Sequence, residues 1–235
     1  MILVIFDVDG TLVQSNKADS RCFAATYHEV YGRPFPTIDW RKYPHVSDTT
    51  IFKTVIEEHF NRTPSAEEEE AFRQQFVANI IEKRKQTPDV FQSIPYAKEA
   101  IDKLLKDARF VVGIATGGWK APAIVKLNFV NIPVEELIIT GADGKITRAE
   151  IINETIDLAK QQHGNFQHIV YVGDAIWDFT TTLEMGLPLI GIRWRGDLDF
   201  FHRLGVPQVL EDYKDYDQFL SYCLQPFFPK AAEII

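Results

Sequence analysis

The 235-residue chain has few cysteines, no long apolar run and a shortage of basic residues. Its two cysteines, Cys22 and Cys223, are too few for a disulfide framework, which favours a reducing compartment such as the cytoplasm. No stretch approaches the roughly 18 apolar residues that a membrane span requires. The N-terminus lacks the long apolar segment of a signal peptide, because Asp7 and Asp9 interrupt its first apolar run. We therefore expect a cytoplasmic protein with no membrane partner.

The charge balance excludes another class of partner. The chain carries 25 Lys and Arg against 33 Asp and Glu, which gives a formal net charge of -8. A surface that binds a nucleic-acid backbone needs clustered positive charge, so we expect no nucleic-acid partner. An anionic small molecule would have to meet positive charge within its own site.

Apolar runs typical of buried strands alternate with helical patterns along most of the chain. The runs lie at 2–6, 110–115, 137–140, 168–172 and 187–192, with a weaker one at 207–210. The helical patterns between them lie near 120–130, 148–163 and 177–185. This alternation predicts an α/β fold with a Rossmann-like parallel sheet.

One segment, residues 16–92, has no buried-strand run and shows only helical patterning. Its helices are expected near 22–31, 51–60 and 65–85. We therefore predict an α-helical cap domain at 16–92, inserted into a core domain formed by 1–15 and 93–235. The chain length, between one and two average domains of about 150 residues, fits a core with a sizeable insertion.

Acidic residues follow two of the predicted strands. Asp7 and Asp9 come directly after the first strand, where Gly10 allows the chain to turn. Asp174 and Asp178 follow a later strand. Ligands bind at the carboxyl ends of parallel strands, and like charges gathered there are tolerated mainly around a divalent cation. Carboxylate oxygens suit Mg²⁺, so the sequence predicts a magnesium site.

Two further segments are suited to binding an anion. Thr116, Gly117 and Gly118 follow another strand and open a helix, where a hydroxyl and backbone N–H groups face a ligand. Arg148 occupies the first position of a helix that begins with a capping box, and the helix dipole there already favours an anion.

These four segments, in this order, resemble the motifs of the haloacid dehalogenase (HAD) superfamily, whose first motif is DxDx[TV] after the first strand. The helical insertion after that motif is similar to the C1-type cap of the phosphoglycolate phosphatase-like branch. The resemblance implies that Asp7 is the nucleophile, which becomes an aspartyl phosphate, and that Asp9 is the general acid/base. It also implies that Thr116 and the N–H of Gly117 hydrogen-bond the transferring phosphoryl group.

The same resemblance implies the ligands of the metal. Asp174 matches the Mg²⁺ ligand of the last motif, and Asp178 matches the acid that orients the water shell of the metal. An oxygen of Asp7 and the backbone carbonyl of Asp9 would complete the metal site.

The chain departs from the family pattern in the third motif. Many members carry its cation as a Lys in a Lys-Pro-x-Pro-Asp context, which is absent here. Two residues remain as candidates, Arg148 and Lys145. The dipole argument favours Arg148, because Lys145 follows an Asp-Gly pair that is typical of an exposed turn.

A segment at 40–45 in the cap mixes cations with aromatic residues. Arg41 and His45 are candidates for holding the leaving group of a substrate if this loop faces the core. The alternative is an ordinary exposed connection.

The sequence therefore predicts a Mg²⁺-dependent phosphatase that hydrolyses a small phosphate monoester through an aspartyl phosphate on Asp7. Two alternatives stay open: a phosphomutase on the same scaffold, and a catalytically silent HAD-fold binding protein. The expected partner is a small phosphorylated metabolite, and the expected assembly is a monomer or a homodimer.

Overall fold

The computed structural model describes residues 1–228 and has a six-stranded parallel sheet at its centre. The strands are β1 (Ile2–Phe6), β2 (Val13–Gln14), β3 (Gln92–Ser93), β4 (Phe110–Ala115), β5 (Ile138–Thr140), β6 (His168–Gly173), β7 (Leu189–Ile192) and β8 (Val209–Leu210). The helices are α1 (Asn16–Tyr31), α2 (Asp48–Phe60), α3 (Ala66–Gln86), α4 (Ala97–Leu105), α5 (Lys120–Phe129), α6 (Arg148–His163), α7 (Ile176–Met185), α8 (Asp199–Arg203) and α9 (Tyr216–Leu224). The strand order is β5-β4-β1-β6-β7-β8, and all these pairs are parallel. The predicted Rossmann-like α/β fold is confirmed.

Strand β1 lies in the middle of the sheet because it is apolar on both faces. All five of its residues are buried, and β4 and β6 pair with it on either side. The carboxyl ends of these three strands therefore meet at one edge of the sheet.

Parts of the core differ from the predicted elements. The runs at 187–192 and 207–210 contain Pro188 and Pro207, which have no N–H for the sheet ladder, and β7 and β8 begin only after them. Helices α4, α8 and α9 were not predicted. They have nine residues or fewer, too few turns for a clear helical period in the sequence.

Helices α1, α2 and α3 form the helical insertion between β1 and β3. The antiparallel ribbon of β2 and β3, in which Val13 pairs with Ser93, brings the two ends of the insertion together. This ribbon lies at the ends of the segment 16–92, and the domain boundaries stay a prediction. No helix within residues 1–228 combines the length and the apolar character needed to cross a membrane.

Trp119, which immediately precedes α5, joins the core to the insertion. Its fully buried ring stacks on Phe23 of α1 at a centroid distance of 5.8 Å and meets Phe72 of α3 edge-on at 6.0 Å. The indole N–H donates to Thr49 Oγ1 at 2.8 Å and to Glu69 at 3.0 Å. A large ring packed among aromatics, with its N–H satisfied, fixes the insertion against the core.

Candidate active site

A small cavity lies where the carboxyl ends of β1, β4 and β6 meet the helical insertion. Its volume is about 60 Å³. The predicted site residues that line it are Asp7, Asp9, Thr116, Gly117, Gly118 and Arg148. Helices α1 and α2 contribute further residues to the same cavity, including Asp19 and Asp48. The fold thus gathers residues from three separate sequence motifs around one small space.

Three carboxylates form a cluster at the base of this edge. One oxygen each of Asp7, Asp174 and Asp178 lies within 4.8 Å of the others. Asp178 is fully buried and accepts hydrogen bonds of 3.0 Å from the backbone N–H groups of Asp174 and Ala175. Gly10 has a φ of 86°, and a Cβ there would collide with the carboxylate of Asp174, so the turn after β1 requires glycine.

The electrostatics of the cluster favour a bound cation. Burial, with the negative charge of Asp178 adding to it, raises the pKa of Asp7 to about 7 against the pull of Arg148. Burial and the charges of Asp178 and Asp7 raise the pKa of Asp174 well above its usual range. Buried carboxylates that destabilise one another in this way form an all-oxygen donor set suited to a hard divalent cation such as Mg²⁺.

The stability of the metal-free protein is expected to fall as the pH rises from about 5 to about 8. Asp7 has a raised pKa of about 7, and burial raises the pKa of Asp19 to about 6 against the charge of Lys126. The folded chain therefore binds more protons than the unfolded chain, and the free energy of unfolding decreases as these groups ionise. Melting temperatures measured in EDTA across this range test the prediction.

Mg²⁺ supplies the complementary measurement. Because metal ligands must be deprotonated, Mg²⁺ should raise the melting temperature more at about pH 8 than at about pH 5. A melting temperature that rises with pH in EDTA, or an equal Mg²⁺ effect at both pH values, would contradict this account.

Arg148 lies beside the carboxylate cluster and is 8% exposed. Its Nη2 donates to Asp178 Oδ1 at 2.6 Å and to the hydroxyl of Tyr171 at 3.1 Å, and it lies 3.4 Å from Asp7 Oδ1. Burial opposes the charge, but Tyr171, Asp178 and Asp7 outweigh it and hold the pKa of Arg148 above its ordinary value. The Nε has no hydrogen-bond partner within residues 1–228. The guanidinium is thus held by the contacts of its Nη2 and retains N–H groups that can bind an anion.

The segment after β4 offers polar groups to the same cavity. A Cβ at Gly117 would collide with Arg148, so the glycine lets the guanidinium approach the backbone closely. The N–H of Gly117 makes no hydrogen bond to any residue of the described 1–228 segment, whereas the N–H of Gly118 donates to Thr116 Oγ1 at 3.2 Å. The free N–H of Gly117, the Thr116 hydroxyl and Arg148 surround a space suited to a phosphoryl group.

Three of the predicted residues lie elsewhere. Lys145 pairs with Glu154 at 2.7 Å and does not line the cavity. His45 is exposed and does not line it either. Arg41 is exposed and pairs with its neighbour Asp39 at 2.7 Å.

Arg41 lines a wider groove of about 670 Å³ that adjoins the cavity. The groove and the cavity share Asn16, Ser20, Trp40 and Trp177. Arg41 therefore lies on the approach to the small cavity and outside the cavity itself.

The structure also places residues at the site that sequence reasoning missed. Lys126 of α5 is 1% exposed and contacts Asp9 and Asp19. Its signal in the sequence is a lone charge beside the buried Ala123 and Leu127, on the apolar face of a helix. Asp19 and Asp48 left no signal, because isolated acids in amphipathic helices usually face solvent.

Burial, together with the charge of Asp19, raises the pKa of Asp48 well above its usual range. Its carboxylate accepts a hydrogen bond of 3.0 Å from the N–H of Trp119. The insertion therefore adds a hydrogen-bonding carboxyl group to the roof of the cavity, opposite the strand ends.

Comparison with known proteins gives a family match and a set of similar folds. The chain matches the family model of haloacid dehalogenase-like hydrolases over residues 4–192. No curated protein matches the chain.

Several solved structures have the same fold. A hydrolase from Pseudomonas syringae has 19% identity and a TM-score of 0.68, with 94% of this chain and 98% of that chain covered. CbbY from Rhodobacter sphaeroides, solved in complex with phosphate, has 14% identity, a TM-score of 0.65 and coverages of 91% and 95%. A β-phosphoglucomutase from Clostridium difficile has 17% identity, a TM-score of 0.67 and coverages of 96% and 98%. Similarity at this level of identity shows a common fold.

Proposed function

Because the chain belongs to the haloacid dehalogenase-like hydrolase family, we propose that it is a Mg²⁺-dependent phosphatase that hydrolyses a small phosphate monoester through an aspartyl phosphate on Asp7. The observation that carries the proposal is that Asp7 and Arg148 line one cavity of about 60 Å³, and that Asp7 also belongs to the carboxylate cluster with Asp174 and Asp178. Membership of the family confirms the resemblance seen in the sequence and the hydrolase class. The identity of the substrate and the dependence on Mg²⁺ are what we propose in addition.

The substrate phosphoryl group would lie between Asp7 and the groups that bind its oxygens. The N–H of Gly117 and the hydroxyl of Thr116 would donate hydrogen bonds to it, and Arg148 would neutralise part of its charge. Asp7, Asp174 and the carbonyl of Asp9 would hold Mg²⁺, and the nearby Asp178 would orient its water shell. When bound, Mg²⁺ supplies the positive charge that lets a carboxylate approach a phosphate dianion.

The reaction then needs two transfers at phosphorus. An oxygen of Asp7 forms a bond to phosphorus while the bond to the ester oxygen breaks, and Asp9 gives its proton to that oxygen. A water molecule next gives a proton to Asp9 and attacks phosphorus, which releases Asp7 and phosphate. The net change is ester plus water to alcohol plus phosphate, and Asp9 ends as it began.

The cellular site of the proposed reaction is the cytoplasm. Both cysteines, Cys22 and Cys223, are free and buried, which fits a reducing compartment. We propose a small phosphorylated metabolite as the substrate, with its phosphoryl group in the cavity of about 60 Å³ and the remainder in the adjoining groove of about 670 Å³.

Hydrolysis of 4-nitrophenyl phosphate with Mg²⁺, and again after chelation with EDTA, tests the proposal. We expect turnover with Mg²⁺, a loss of at least about 100-fold on chelation, and recovery when Mg²⁺ is restored in excess. Turnover that is unaffected by chelation would remove the metal from the proposal. A folded enzyme that releases one equivalent of nitrophenol and retains the phosphoryl group would support the phosphomutase, and a chain that releases none would support the silent binding protein.

A further inference from the structure

Lys126 is a buried ammonium that the proposed reaction does not use. It projects from α5, is 1% exposed, and does not line the reaction cavity. Its Nζ lies 2.6 Å and 2.7 Å from the two carboxylate oxygens of Asp9 and 2.7 Å from Asp19 Oδ1. One ammonium therefore bridges two carboxylates, one from the turn after β1 and one from α1 of the insertion.

Such a bridge is poorly explained as a device for stability alone. Removing charges from water is costly, and a buried ion pair is often no more stabilising than well-packed apolar side chains of similar volume. Burial opposes the charge on Lys126, and Asp19 and Asp9 together outweigh it and raise its pKa. The two carboxylates therefore compensate the cost of burying the ammonium only while both remain in contact with it.

The contacts around Asp9 fix the position of its side chain, which transfers protons in the proposed reaction. Asp9 lines the cavity, and besides Lys126 its carboxylate accepts a hydrogen bond from the hydroxyl of the buried Ser15. The backbone of Asp9 forms a bridge with Val13, so its main chain is held as well. Both oxygens of Asp9 are thus held from the side away from the cavity.

We propose that Lys126 is the positioning residue of Asp9, and that Asp19 holds Lys126 in turn. The inference rests on the proposed function, in which Asp9 protonates the leaving oxygen and later accepts a proton from water. Lys126 keeps its own protons throughout. When Asp9 is protonated, Lys126 would hold one oxygen of the carboxyl group, which leaves the other oxygen to carry the proton toward the ester oxygen. It would act through Asp9, whereas Arg148, which lines the cavity, would contact the phosphoryl group directly.

Two esters of similar shape separate positioning from general support of the fold. Benzyl phosphate releases a strongly basic alkoxide, so breaking its ester bond needs a proton from Asp9. 4-Nitrophenyl phosphate releases a weakly basic phenolate and needs little help from an acid. The value of kcat/KM reports the first phosphoryl transfer for both esters, so their ratio measures how well Asp9 is placed.

The variants are Lys126→Met, Lys126→Arg and Asp9→Asn, with Lys120→Met as the matched control, since Lys120 is an exposed lysine on the same helix. For Lys126→Met we expect kcat/KM for benzyl phosphate to fall by about 10²-fold or more, and that for 4-nitrophenyl phosphate by less than about 10-fold. Asp9→Asn should show the same selective loss. Lys126→Arg should recover part of the benzyl phosphate activity, and Lys120→Met should retain both activities.

Combining the variants supplies the decisive measurement. If Lys126 acts through Asp9, Lys126→Met should cost little further activity once Asp9→Asn is present. Equal losses for the two esters, or full additivity in the combined variant, would overturn the proposal.

Two further variants test the proposal even if Lys126→Met fails to fold. If Lys126→Met does not fold, Lys126→Arg and Asp19→Asn decide, because both keep a cation beside Asp9 and disturb only its position. A selective loss for benzyl phosphate supports the proposal, and its absence in both variants overturns it. Wild-type protein that turns over neither ester would overturn the proposed function first, which distinguishes the two failures.

Discussion

Replacing Asp7 with Asn is expected to abolish phosphatase turnover while leaving the fold intact. The amide has the size of the carboxyl group but cannot attack phosphorus, so kcat should fall by at least about 10⁴-fold. The residue is 3% exposed, and burial together with Asp178 disfavours the charged form of its side chain. A neutral amide removes that repulsion and loses the 3.4 Å contact with Arg148, so the two effects on stability oppose each other. The melting temperature should change by no more than a few degrees.

Initial rates with 4-nitrophenyl phosphate and a thermal melt test this expectation together. Asp7→Glu is the matched control, because it retains the charge but moves the carboxylate by one methylene group; it should also lose most activity. Trapping the wild-type phosphoenzyme, or its fluoroberyllate analogue, on Asp7 provides direct evidence. Activity that survives in a well-folded Asp7→Asn protein would remove Asp7 as the nucleophile.

The second large effect is expected from replacing Arg148, which we propose as the cation of the third motif. Arg148→Ala should lower kcat/KM by about 10²- to 10³-fold, because a fixed donor to the phosphoryl group is lost. It should also lower the free energy of unfolding by about 3–5 kcal/mol, because the buried Asp178 loses a partner at 2.6 Å. Lys145→Ala removes an ion pair with the half-exposed Glu154, so we expect less than about 1 kcal/mol and little change in rate.

Arg148→Lys separates the two consequences of this substitution. A lysine retains the positive charge beside Asp178 but lacks the planar fork that binds two partners at once, so stability should recover more than activity. Adding guanidinium at millimolar concentration to Arg148→Ala should restore part of the rate. A larger loss of activity for Lys145→Ala than for Arg148→Ala would assign the third motif to Lys145.

Much of the site was predictable because the carboxyl ends of parallel strands lie at the same edge of the sheet. Asp7, Thr116 and Asp174 each follow a buried strand, so three local patterns sufficed to bring them together without knowledge of the packing. Arg148 was predictable from its helix start, since the capping box fixed where α6 begins.

The residues contributed by the insertion were not predictable in the same way. Asp19 and Asp48 reach the cavity only because α1 and α2 dock over the strand ends, and no local pattern specifies that docking. Arg41 shows the converse: its neighbour Asp39 offers a partner two residues away, and the pair remains exposed. Lys126 was missed because a helical period marks a buried face by its apolar residues and assigns a charge to solvent.

The packing of Trp119 between the insertion and the core has a consequence for how we expect substrate and product to exchange with solvent. Lifting the insertion off the core would expose an indole that buries some 150–250 Å² of surface, at a cost of about 4–6 kcal/mol before its two hydrogen bonds are counted. The fully open state would therefore be sparsely populated. We expect traffic to pass instead through the 670 Å³ groove bordered by Trp40 and Trp177, an entrance that stays open while the roof remains closed. The rate of turnover would then depend on the width of this groove.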